Sequence, residues 1–214
     1  MKQERTREIT KVFASNTYIL TCDMKMKKQT YKIVLTGLFI AMGYLFPFII
    51  GNNMQLGSIF LPMHIPILLC GFLVGGVWGG VAGASVPILR SVLFGSPPMY
   101  PMAISMSVEL AVYGFVAGML YYILVKRKKA NKYDLPHLIY TYVALIGAML
   151  VGRIAFGGTM YLLTVISETR PTFTFTAFIS GAFTTPWLGI FIQLMLIPPI
   201  VVAFERANKR WQNY

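Results

Sequence analysis

The fold is decided by the stretch Pro62 to Tyr122, which begins PMHIPILLCGFLVGGVWGGVAGASVPILRSVLFGSPPMYPMAISMSVELAVYGFVAG. Arg90 and Glu109 are the charges in this almost unbroken apolar run. A soluble domain has no use for such length, whereas a bilayer asks for roughly 20 apolar residues per spanning helix. The stretch reads as three membrane helices in series. A short Gly/Trp turn, Gly75 to Gly80, joins the first two, and a Pro-rich loop, Gly95 to Pro101, joins the second to the third. An ionisable residue kept inside a bilayer is a functional-site hypothesis by default, so Arg90 and Glu109 are candidates from the outset.

Outward from this stretch, the composition agrees. Of 214 residues, 56% are hydrophobic and 12% charged, against about 25% charged in an ordinary soluble domain. The length allows one bundle of six or so helices and no sizeable extramembrane domain. The net charge of +12 is a topology signal because of where it sits. Of nineteen Lys and Arg, eight lie in Met1–Lys32, five in Lys126–Lys132 and three after Phe204. Any even number of spans puts these on one side, which the positive-inside rule makes cytoplasmic. No nucleic-acid partner is expected. The other three, Arg90, Arg153 and Arg170, fall in or near the outer half of the bundle. Two cysteines, Cys22 and Cys70, support no disulfide framework.

Residues 1–30 form a basic segment. Its apolar run Val12–Leu20 is broken by Ser15, Asn16 and Thr17, so it is not a secretory signal. It reads as a short surface helix or as leader sequence ahead of a start at Met24 or Met26. Residues 31–204 make a six-helix all-α membrane domain, and 205–214 a basic tail, with both termini cytoplasmic. The first helix, Tyr31–Ile50, carries Gly37 and Ala41, a small-xxx-small pair that admits a closely packed helix from the bundle or from a partner. The loop Gly51–Ser58 offers Asn52, Asn53 and Gln55 to a polar ligand, or is a plain solvated turn. The second helix, Phe60–Val74, is short for a span. Pro62 and Pro66 at its outer end free carbonyls and kink it around His64, which reads as a packing residue or a ligand contact.

Gly71, Gly75, Gly79 and Gly83 recur every four residues and predict a tight hairpin between the second and third helices. No GxxxxGK[ST] is present, so no ATP binding through such a loop is expected. The third helix, Val81–Phe94, carries Arg90, and Tyr100 stands near the mouth in the loop that follows. The fourth, Met102–Val125, carries Glu109 about two turns in and the close-packing pair Gly114-xxx-Gly118. The fifth, Leu138–Ile166, carries Arg153, and the next loop holds Glu168 and Arg170. The sixth, Phe173–Phe204, opens with Thr172, Thr174, Thr176, Thr184 and Thr185 before Pro186-Trp187.

A lone arginine in hydrocarbon costs at least ~2.5–3.5 kcal/mol, so the intramembrane charges need an account. One account is an internal pair, Glu109 with Arg90 or Arg153, that staples helices together. The other is an arginine that receives an anionic ligand through its planar fork. The two combine: Glu109 fixes one arginine, and the other, Arg90 before Arg153, meets the ligand. A proton-coupled carrier would line its path with several titratable groups. One acid and one membrane histidine, with His137 cytosolic, make a thin relay. Without a metal set, HExxH or GxSxG, no enzyme is expected.

The segments PMHIPILLCGFLVGG and RSVLFGSPPMYPMAISMSVELAVYGFVAG, with the six-helix layout, resemble the substrate-binding (S) components of energy-coupling-factor (ECF) vitamin transporters over roughly Tyr31 to Phe204. The resemblance implies a prokaryotic plasma-membrane subunit that captures a vitamin from outside and docks on a transmembrane T component bound to two ATPases. ATP is used by those partners, and no cofactor is expected on this chain. It also implies a site between the outer loops and outer helix ends, the region of Asn52, Asn53, Gln55, His64, Arg90, Tyr100 and Trp187. The helix 1 motif that meets the T component has its nearest match in Gly37-xxx-Ala41, followed at four residues by Leu45 in place of Trp or Ala. PMHIP…LFGSPPM…VELAVYG is most similar to pantothenate-type members; pyridoxine, hydroxymethylpyrimidine and folate are the alternatives. A stand-alone carrier for a small anion is the second function class.

Overall fold

The structure, a computed structural model, describes residues 29–48, 57, 59–126, 135–166 and 185–212. Every regular element among them is helical. In chain order these are α1 (Gln29–Phe48), α2 (His64–Leu73), α3 (Gly76–Phe94), α4 (Ile104–Tyr121), α5 (Leu135–Ile166) and α6 (Trp187–Gln212). Two π-type turns flank α4: Met99–Ala103 leads into it through a kink at Tyr100, whose backbone is extended (φ −116°, ψ 136°), and Tyr122–Lys126 continues it. Residues 36–214 form one compact unit; the residues up to Leu35, described from Gln29 onward, belong to another. The basic segment before Gln29, the loop amides, Glu168, Arg170 and the threonines from 172 to 184 lie outside the described residues.

Five of these helices are long and apolar enough to cross a membrane: α1, α3, α4 with its π-turns, α5 and α6. The sequence predicts six, and the difference is α2. Its ten residues rise about 15 Å, half of the roughly 30 Å hydrocarbon core. The cause lies at its start. Leu61 sits at φ +50°, a left-handed conformation unfavourable for a residue with a Cβ, and Pro62 follows in a turn. Regular helix therefore begins only at His64. Pro66 falls in the first turn, where its missing N–H removes no helical bond, so it does not kink the helix. The irregular lead-in Leu61–Met63 is buried in protein, the condition for non-helical backbone at membrane depth. Gly189 of α6 covers the residues just before it: a Cβ there would stand 2.7 Å from the Ile59 carbonyl oxygen and 2.8 Å from that of Phe60.

The glycine repeat does more than form a hairpin. The turn between α2 and α3 is tighter than Gly75–Gly80, because Gly75 at φ +127° reverses the chain and helix resumes at Gly76. A Cβ on Gly79 would stand 2.6 Å from the Gly71 Cα and 2.8 Å from the Gly114 carbonyl oxygen. Gly83, Gly114 and Gly118 likewise face backbone at distances no Cβ tolerates. The Gly71–Gly83 repeat and the Gly114-xxx-Gly118 pair are thus two sides of one contact that locks α2, α3 and α4 backbone to backbone. Lipid is as apolar as leucine, so such close approach, and not hydrophobicity, holds membrane helices together. Around this core α5 packs on α4, and α6 packs on α2 and α5.

Candidate functional site

The locked helices present polar side chains toward α5. Glu109, on the buried stripe of α4 with Leu110 and Tyr113, meets Arg153 of α5, with Nη1 2.9 Å from Oε1. Both side chains are almost wholly buried. The contact is ionic in character, since Oε1 receives no aligned hydrogen bond. His64, the first residue of α2, brings Nε2 to 3.8 Å from the same oxygen, beyond hydrogen-bonding range. Its ring stands edge-on to Tyr113, centroids 5.2 Å apart. Both ring nitrogens of His64, the Tyr113 hydroxyl, and Nε and Nη2 of Arg153 are buried without a hydrogen-bond partner. A pair of opposite charges lowers the cost of burying each, but the remaining donors hold capacity for a further group.

Arg90 lies apart from that pair, one turn before the end of α3. Its Nε donates to the Ser96 carbonyl at 3.0 Å, and its guanidinium lies over the Phe48 ring, 5.5 Å from the centroid. Phe48 packs on Phe94 at 4.7 Å and Tyr44 on Phe94 at 5.1 Å. The cation is thus seated among aromatic rings at the Gly95 end of the bundle, a geometry worth about 0.5–2 kcal/mol. Its side chain is 4% exposed. The signal for this nest is the i, i+4 spacing of Tyr44 with Phe48 on α1 and of Arg90 with Phe94 on α3, and the sequence reading passed over the three rings.

A second histidine is also buried. His137 sits on the first turn of α5, which begins three residues before the expected Leu138, and is 1% exposed. Its Nε2 lies 3.3 Å from the Tyr121 hydroxyl and 3.3 Å from Oε2 of Glu205 on α6. The Thr141 hydroxyl donates to the His137 carbonyl, and Phe72 packs edge-on to Tyr121. This cluster ties α4, α5 and α6 together at the Gly75 end.

Of the other candidates, Tyr100 donates its hydroxyl to the Leu163 carbonyl at 2.5 Å. That carbonyl is among the last four of α5, which lack helical partners, so Tyr100 caps a helix end. Trp187 opens α6 and is exposed. Gly37 and Ala41 lie on the exposed face of α1, opposite the buried Thr36, Phe39, Gly43 and Pro47, and a Cβ at Gly37 would meet nothing within 4 Å. Among the described residues no helix packs against the small-residue pair. Asn52, Asn53 and Gln55 lie outside the described residues. Gln193 was missed. It occupies the buried stripe Gly189, Gln193, Ile197, Val201 of α6, and the spacing of four is the signal that would have found it.

Residues 31–201 match the family model described as ECF transporter, substrate-specific component. The chain belongs to this family. As an S component it is a multi-pass membrane protein and a substrate-binding transport subunit, not an enzyme, of a family that works with a T component and ATPases. Comparisons with curated proteins and with solved structures return no match.

Proposed function

We propose that this S component captures pantothenate from outside a prokaryotic plasma membrane and hands it on through a T component and two ATPases. The chain holds no cofactor, and ATP acts on the partners. The observation that carries the reading is the division between two arginines. Glu109 pairs with Arg153, so that acid does not balance Arg90, which lies at the other end of α3 from Gly75. The Ser96 carbonyl and the Phe48 ring orient its guanidinium, and a planar fork held in one orientation suits a carboxylate. Asn52, Asn53 and Gln55 follow Phe48 by four to seven residues in the sequence, and in this reading their amides meet the polar groups of the same ligand. In this reading the Gly95 end faces outward, both termini are cytoplasmic, and the exposed Gly37/Ala41 face of α1 meets the T component.

Calorimetric titration of the detergent-purified chain with pantothenate, pyridoxine and folate tests this. Pantothenate binds tightly without any ATPase, and Arg90→Ala weakens it about 10- to 100-fold, the loss of a charge-assisted hydrogen-bonded contact. No binding of any of the three by monodisperse protein overturns the capture reading in favour of a stand-alone carrier. Gly37→Leu with Ala41→Leu abolishes copurification of the T component and leaves pantothenate binding intact.

A further inference from the structure

Gln193 is buried to 1% exposure, and neither its amide oxygen nor its amide nitrogen has a hydrogen-bond partner. A buried polar group left unpaired costs about 1–3 kcal/mol, and native proteins contain few of them. This one occupies the middle of an otherwise apolar stripe, with Gly189 before it and Ile197 and Val201 after it. Leucine at that position would pack without the penalty, so the amide is there for a partner beyond the fold.

Its place says which partner. One turn earlier on the same face, Gly189 rests on the carbonyls of Ile59 and Phe60, the residues that lead into His64. Gln193 is therefore one turn deeper along α6, on the side where α6 packs against α2 and α5. Those two helices supply His64 and Arg153, whose nitrogens, like the Tyr113 hydroxyl and Glu109 Oε1 on α4, are also buried without a hydrogen-bond partner. An amide offers a donor and an acceptor on one planar group. A carboxylate would satisfy only the donor; a secondary amide or a hydroxyl satisfies both.

We propose that Gln193 is a cargo-contacting residue that selects for a neutral group bearing both a hydrogen-bond donor and an acceptor, separate from the anionic group received by Arg90. The assignment rests on the capture reading above and adds to it a second recognition point on a different helix.

The test replaces the amide by apolar groups of similar length, in Gln193→Met and Gln193→Leu, in the full-length chain. In the ligand-free protein both variants melt at or above the wild-type Tm, because an unpaired buried amide has been removed. Affinity for pantothenate, or for whichever of pyridoxine and folate the wild type binds, falls at least about tenfold, the equivalent of about 1.4 kcal/mol. A purely structural glutamine gives the opposite pattern, with a lower Tm and unchanged affinity. Affinity within threefold of wild type in either folded variant overturns the assignment and leaves the capture reading standing. Failure of the wild type to bind any of the three vitamins overturns both.

Discussion

Two buried histidines stand in parallel settings along α4 and behave differently. His64 meets Tyr113 edge-on with Glu109 nearby; His137 meets Tyr121 edge-on with Glu205 nearby. The tyrosines are eight residues apart on the same buried stripe. At His137 one ring nitrogen engages both neighbours: it hydrogen-bonds the Tyr121 hydroxyl and lies 3.3 Å from the Glu205 carboxylate, an ion-pair contact. At His64 the carboxylate is drawn to Arg153 instead, and ring, hydroxyl and guanidinium keep orphaned atoms. The same three residue types make scaffold where ring and hydroxyl bond to each other. Where they do not, the residues remain competent to hold something else.

The largest expected effect would break this comparison at its charged member. Glu109→Leu or Arg153→Leu alone strands a buried charge and costs about 3–5 kcal/mol, while the double substitution recovers most of the loss. Unfolding in detergent measures it, and costs that simply add would show that the two residues do not act as a pair. Next comes the core that positions the first histidine cluster. Gly83→Ala drives a methyl into the Leu110 and Ala111 backbone and costs about 1–3 kcal/mol, visible as a lowered Tm. The two tyrosines then sharpen the contrast. Tyr121→Phe loses about 1 kcal/mol of stability with unchanged vitamin affinity; Tyr113→Phe keeps its stability and weakens capture. A swap of those outcomes would reverse the assignment of scaffold and site. Smallest of all, Tyr100→Phe costs about 0.5 kcal/mol, the low end for a hydrogen bond at an exposed position, read by the same melt.

Much of this was legible in the sequence because it followed from local patterns. The apolar runs of α3, α4, α5 and α6 announce membrane helices by length alone, and the four-residue glycine spacing announces close helix packing on one face. The small pair Gly37 and Ala41 was equally visible, but whether it faces the bundle or a partner depends on which stripe of α1 is buried. The burial of His137 was not legible because a basic run precedes it, and charge placement does not say where a helix begins past that run. α2 was overestimated because an apolar run reports affinity for lipid and carries no term for the φ of Leu61.

What the sequence determined by itself is the membrane class, the number of basic clusters, the absence of a nucleotide loop, and the short list of charges within apolar runs. Each depends on composition or on spacing within one helix. Only the tertiary structure decided which arginine Glu109 pairs with, that Arg90 rests on Phe48, and that Gln193 is a buried amide with no partner of its own. Those are contacts between residues tens of positions apart, and side chains on different helices meet or miss according to how the backbones pack. In this protein that packing is set by glycines on α2, α3 and α4, which let three backbones touch and so fix where every polar side chain on them must stand.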